Sequence, residues 1–252
     1  MTARLAHIRS HPIKTLGADD LPDVTLAAGE RLPGDRRYAV MHEAALKHLE
    51  AGAALTRWLP KAAFLRGAAC LDLQAVKGGW NGGRIHFSHP ARPDIEIDPE
   101  LAADQQALLD WLAPLWGAEK SPPARLVRGS EQLTDQNKPL VSILSLASLR
   151  ALEARLGQPI GIDRWRANLW IEGWEPLAER DLIGQEIAIG TARLVVRKPI
   201  GRCVATDAET ATGKRQLDML AALRGFVGDE DFGIFAEVTT GARIAIGDEV
   251  HP

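Results

Sequence analysis

After Gly157 the sequence becomes a run of short apolar segments broken by glycines, and this constrains the fold more than any other feature. RANLWIE (166–172), QEIAI (185–189), ARLVVRK (192–198), RCVAT (202–206), FGIFAEV (232–238) and RIAI (243–246) each have strand length and strand composition. Many short strands joined by tight turns fold as a barrel or a sandwich. The first third reads the same way, with strands expected at ARLAHI (3–8), DVTLA (23–27), RRYAVM (36–41) and RIHFS (84–88), and a Pro33-Gly34-Asp35 turn before the third.

Helices are expected in three places. Asp98-Pro99-Glu100 carries an N-cap residue, a proline for the first turn and an early acid, and Leu101, Leu108 and Leu112 follow at helical spacing to Trp116-Gly117. Ser145 can cap a second helix striped by Leu146, Leu149, Leu152 and Leu156 and stopped by Gly157. A short third helix is expected around Gln216–Arg224. The EKSPPARL stretch (119–126) reads as a linker-like break. The fold class is therefore mostly β with a few packed helices. Residues 1–97 are expected to form an N-terminal β-barrel-like part and 98–252 a second barrel.

Composition removes several functions. The formal charge of −3 gives no long-range pull on nucleic acid or anionic lipid. No run of about 18 apolar residues occurs, so a cytoplasmic protein with no membrane partner is expected. Two cysteines exclude an intrinsic [2Fe–2S] cluster held by four cysteines of one chain. G-x-G-x-x-G, Walker A and G-x-S-x-G motifs are missing. The seven histidines read as surface or structural. His86 and His89 would point to opposite faces of a strand, which makes them poor joint ligands.

Cys70, in the apolar GAACLDL, reads as a buried inert thiol. Cys203 stands elsewhere, in VVRKPIGRCVATD (195–207). Lys198 and Arg202 lie within five residues of it, and nearby cations favour the thiolate. An extended backbone would put Gly201 and Cys203 on one face, with open space beside the sulfur. Lys14 sits in HPIKTLG. In GDRRYAV one of Arg36 and Arg37 should face inward, and in RWRANLW the two-residue spacing would set Arg164, Arg166 and Asn168 on one strand face. Inward arginines are costly unless an anion meets them. One reactive sulfur among strand-borne cations points to a phosphate-bearing anionic ligand; a core cysteine and ordinary solvated charges are the alternative.

At these residues the sequence resembles MOSC-domain proteins, named for the C-terminal domain of molybdenum cofactor sulfurase, and in particular the two-part, amidoxime-reducing type. The similar pieces are HPIKTLG (11–17), GDRRYAV (34–40), LSLASLRALEARLG (144–157), RWRANLWIEG (164–173), RLVVRKPIGRCVATD (193–207), TGKRQLDMLAALR (212–224) and RIAIGDEV (243–250). The resemblance implies a molybdenum cofactor, a metal on the dithiolene of a phosphorylated pterin. It implies Cys203 as metal ligand and catalytic residue, and Lys14, Thr15, Arg36, Arg166, Asn168 and Arg202 as cofactor contacts. It further implies reduction of a small N-hydroxylated substrate with electrons from separate redox proteins. A sulfur carrier or cofactor chaperone using a Cys203 persulfide is the alternative, and a binding module with a decayed motif a third. Gly201 stands where serine is usual in the reductases, and Ala167 where proline is usual.

Overall fold

A computed structural model describes residues 2–49, 55 and 57–252. Its largest sheet closes on itself. The strands run in the order Leu169–Glu172, Val141–Ser145, Asp231–Thr240, Ala192–Gly201, Glu186–Ile189, Glu249–His251 and Ala3–Ser10, and the last pairs back onto the first. The result is a seven-stranded barrel, so the mostly-β reading is borne out. Period-two alternation fills it. In the Ala192–Gly201 strand, Ala192, Leu194 and Val196 are buried while the residues between them are not. They meet Ile143, Ile171, Ile187 and Ile234 from other strands in one continuous core.

Ala3–Ser10, from the far end of the chain, closes this barrel. A division at residues 97/98 is still a proposal about folding units, and the barrel adds that the C-terminal segment borrows one strand from the N-terminal one. Three further N-terminal strands, Tyr38–His42, Arg84–His89 and Arg92–Ile97, build a second core around Tyr38, Val40, Ile85, Phe87 and Ile97. Helix α1 (Ala102–Trp116) covers it with Leu108, Trp111, Leu112 and Trp116. The N-cap of α1 is Leu101 rather than Asp98, because the Asp98 carboxylate turns to accept the Glu100 N–H at 2.9 Å. The EKSPPARL break is in part a strand: Pro123–Arg128 pairs antiparallel with Tyr38–His42, the second proline, Pro123, falling at the strand's start, where no ladder hydrogen is needed.

Helix α2 (Leu146–Leu156) matches expectation. Ser145 Oγ accepts the Ser148 N–H at 3.3 Å, and Gly157 closes the helix at φ 67°. It is the crossover between Val141–Ser145 and Leu169–Glu172, which pair in parallel. Helix α3 (Met219–Val227) begins three residues later than expected, because Asp218 caps it by accepting the Ala221 N–H at 2.9 Å. No helix among the described residues is long and apolar enough to cross a membrane.

Candidate functional site

A cleft of about 310 Å³ opens where one end of the barrel meets the N-terminal core. All seven site residues expected from sequence line it: Lys14, Thr15, Arg36, Arg166, Asn168, Arg202 and Cys203. They arrive from four separate stretches of chain, so only the tertiary fold brings them together.

Local backbone geometry aims them. The Ala192–Gly201 strand shifts register against Asp231–Thr240 on both sides of its Lys198-Pro199 step. Pro199 lacks an N–H for the ladder, and such irregularities bend a strand and end its pairing. The strand therefore stops at Gly201. Cys203 lies outside it, capping the single 3₁₀ turn Val204–Asp207, and this corrects the expected RCVAT strand and its shared face with Gly201. The thiol is exposed to the cleft. A Cβ at Gly201 would meet Asp231 Oδ1 at 3.5 Å, an ordinary contact, so the backbone there has room for a serine-sized side chain.

The RANLWIE reading is also corrected. Asp163–Trp165 is a 3₁₀ turn, Arg166 is left-handed at φ 50°, and the strand begins only at Leu169. Arg36 is likewise left-handed at φ 50°, two residues before its strand, and Thr15 has φ 76°. Among the described residues, three of the four non-glycine positions with positive φ are thus cleft residues. Each costs roughly 1–2 kcal/mol relative to right-handed backbone, and such strain collects at functional sites. Gly17, at φ 50°, allows a close backbone approach: a Cβ there would collide with the Gly78 carbonyl.

Charge dominates the cleft. Seven basic side chains line it (Lys14, Arg36, Lys61, Arg66, Arg164, Arg166, Arg202) against two acidic ones, Asp35 and Asp135. Arg166 donates to the backbone carbonyls of Gly17 at 2.9 Å and Leu16 at 3.3 Å. Arg202 donates to the carbonyls of Trp165 and Phe232 and lies 5.2 Å from the Trp165 ring centroid. Neither guanidinium forms an ion pair with a carboxylate among the described residues. Desolvation, reinforced by Arg36, pushes Arg166 down to about 9. Desolvation likewise pushes Arg202 down to about 9, against the opposing pull of Cys203 and Asp231. Both stay charged at neutral pH, and both are held in a place where positive charge is unfavourable without an anion.

Two other expected residues also hydrogen-bond within the protein. Thr15 Oγ1 donates to the Leu65 carbonyl at 3.1 Å. Asn168 Oδ1 accepts from the Ser142 N–H and hydroxyl at 3.2 and 2.8 Å, and its amide donates to the Arg9 carbonyl at 3.1 Å. Asn168 thereby ties two barrel strands together at the cleft floor. Cys70 is buried as expected, donates to the Leu115 carbonyl at 3.0 Å, and has its thiol pushed up by burial.

Sequence reasoning overlooked a pair beneath the site. Asp35 Oδ1 accepts the His11 N–H at 2.9 Å and meets His11 Nδ1 at 3.1 Å, while Oδ2 accepts from Arg36. Burial would raise this carboxyl, but Arg36 and His11 outweigh it and hold Asp35 well below the usual carboxylate range. Burial, helped by Arg166, pushes His11 down to about 3, so the ring is neutral and donates Nδ1–H to Asp35. The folded state binds the His11 proton less readily than the unfolded chain, whose value is 6.5. Stability is therefore complete above pH 6.5 and is lost as pH falls toward 3. The expected loss is roughly 3 kcal/mol by about pH 4. Denaturant melts across this range should show wild type and His11→Asn converging; parallel curves would exclude the linkage.

Among the described residues no three His, Cys, Asp or Glu side chains gather as ligands for a bare ion. Cys203 is the cleft's one soft donor, so a metal held here must bring most of its ligands with it. A group that is both sulfur-ligated and phosphorylated fits that donor set: the thiolate suits a thiophilic metal, and the unpaired guanidiniums suit a phosphate.

Comparison with known proteins finds a family model and several relatives. The family model described as "MOSC domain" matches residues 130–251. Molybdenum cofactor sulfurase of Anopheles gambiae is 25% identical over 184 residues, a match covering 64% of this chain and 23% of that protein. Mitochondrial amidoxime-reducing component 1 of Xenopus laevis is 27% identical over 139 residues, covering 50% of this chain and 40% of that protein. The chain thus spans less than half the length of either relative. Among solved structures, the YuaD protein of Bacillus subtilis aligns over 99% of this chain and 94% of its own, with TM-score 0.46 and 14% identity. YiiM of Geobacillus stearothermophilus aligns over 44% of this chain and 52% of its own, with TM-score 0.35 and 22% identity.

Proposed function

From the premise that this chain carries a MOSC domain over residues 130–251, we propose that it holds a molybdenum–pterin cofactor in the cleft and reduces N-hydroxylated compounds. The observation that carries the proposal is the meeting of one exposed sulfur, Cys203, with partly buried guanidiniums, Arg166 and Arg202, that have only carbonyl partners. The overall reaction balances as R–NHOH plus two electrons and two protons giving R–NH₂ and water. The bound metal centre would supply the two-electron redox chemistry and an open coordination position.

The chain's own residues bind and orient. Cys203 offers a sulfur ligand that needs no rearrangement of the core, because it is already exposed to the cleft at the start of the Val204–Asp207 turn. Arg166, Arg202 and Lys14 hold the phosphate by charge-assisted hydrogen bonds. Asp35 fixes Arg36, whose Nη2 reaches the Arg166 carbonyl at 3.1 Å, so the cationic wall is braced before ligand arrives. In this reading electrons are supplied by separate redox proteins, because neither the buried Cys70 nor the cleft Cys203 serves a four-cysteine cluster.

The same exposed thiol favours the second reading, a sulfur carrier that holds a Cys203 persulfide. One experiment separates them. The protein is expressed in a host that makes the pterin cofactor, molybdenum and pterin are measured per chain, and an amidoxime is supplied with a matching electron-transfer chain. Molybdenum near one per chain with turnover supports the reductase. Protein without molybdenum overturns it, and substoichiometric metal with sulfur released from Cys203 establishes the carrier.

A further inference from the structure

Lys14 is only 6% exposed, yet its partner Asp135 is 53% exposed. The carboxylate reaches in from the segment between the Pro123–Arg128 and Val141–Ser145 strands. That segment lies along the cleft through Thr134, Asp135, Gln136 and Leu140. It is fastened mainly by side chains. Lys14 donates to the Leu133 carbonyl at 2.9 Å, Arg31 to the Gln136 carbonyl at 3.1 Å, Lys198 to Gln136 Oε1 at 2.7 Å, and the Trp58 indole to the Thr134 carbonyl at 3.3 Å. Arg31 also pairs with Glu131 at 3.3 Å.

We infer that Asp135 is a stand-in anion: its carboxylate occupies the place on Lys14 that a phosphate group of the ligand takes, and the ligand binds by displacing it. Asp135 thereby becomes a specificity-determining residue. An incoming carboxylate merely exchanges with Asp135, charge for charge, and gains nothing at Lys14. A phosphate monoester carries up to two charges and three acceptor oxygens, and can engage Lys14 and a neighbouring guanidinium together. The cleft is thus set to take phosphate and to refuse carboxylates at the same point. The inference rests on the reading that the cleft takes a phosphate-bearing ligand.

The apparent affinity of a site that is partly self-occupied is reduced by the occupied fraction, and removing the occupant restores it. Calorimetric titration with methyl phosphate and with acetate tests this in the full chain. Asp135→Asn should bind methyl phosphate about tenfold more tightly than wild type and should gain at least as much for acetate, narrowing the preference. Asp135→Glu, which keeps the charge, should stay near wild type. Lys14→Met should bind weakly, and Asp135→Asn added to it should restore nothing.

A second readout follows the segment itself. Methyl phosphate should change the Trp58 emission of wild type, as the difference against Trp58→Phe, because Thr134 moves with Asp135. The stand-in role is overturned if Asp135→Asn binds no tighter than wild type, or if Trp58 emission is unchanged at saturating phosphate. If molybdenum is retained in wild type while Asp135→Asn gains nothing, this inference alone fails. Protein that binds neither molybdenum nor methyl phosphate overturns both readings.

Discussion

Replacing Cys203 by serine is expected to lower molybdenum at least tenfold in protein made by a cofactor-producing host, with the thermal midpoint unchanged. The side chain touches nothing that holds the fold. Cys203 is exposed, and its structural role passes through its backbone carbonyl, which accepts the Thr206 N–H at 3.0 Å and the Thr206 hydroxyl at 2.8 Å. Serine preserves both bonds and the volume. It removes the soft, ionisable sulfur that a thiophilic metal selects, and a serine hydroxyl is not deprotonated near neutral pH. Cys70→Ser is the internal control. That sulfur is buried in the second core and does not line the cleft, so the variant should lose stability and keep its molybdenum. Iodoacetamide gives the same contrast without mutation: one thiol per native chain should react quickly and the second only on unfolding. Full molybdenum in Cys203→Ala would remove the sulfur from the site.

What the sequence revealed and what it hid divide along physical lines. Helix α2 was legible to the residue because its signals are local: a serine cap, a leucine stripe and a glycine stop. The barrel was legible as a class, since period two and turn residues are also local. Its closure was not, because Ala3–Ser10 pairs with strands more than 150 residues away and no local pattern encodes a partner. The site shows the same split. Cys203, Lys14, Arg36, Arg166 and Arg202 stood out as residue types in suggestive contexts. The geometry that aims them was misread, because Arg36 and Arg166 take left-handed backbone that alternation rules do not anticipate. Asp135 was missed, and Asp35 was read only as a turn residue. An acid in a polar loop looks like any solvated charge until the fold sets a buried lysine or histidine against it.

Arg166→Met should separate binding from stability. The guanidinium makes two hydrogen bonds to backbone carbonyls, each worth about 1 kcal/mol net, and their loss destabilises. Against this, the variant removes a desolvated cation that no carboxylate neutralises and that lies close to Arg36. Deleting such a charge while keeping the apolar stem often offsets the lost bonds. The Asp35–Arg36 pair and the αL backbone are left in place. The expected melting temperature therefore lies within a few degrees of wild type, while phosphate affinity falls roughly 10- to 150-fold, the equivalent of the 1.5–3 kcal/mol of a hydrogen bond to a charged group. Molybdenum per chain should fall with it. A protein that keeps a strained, uncompensated cation where an apolar side chain would be tolerated keeps it for an anion. Calorimetry with methyl phosphate beside a thermal melt decides the matter. If Arg166→Met binds phosphate as wild type does, the cationic wall serves the fold and not a ligand. If it melts far lower, by 10 °C or more, the guanidinium is chiefly a strut between the barrel and the N-terminal core, and the strain at φ 50° is the cost of that strut.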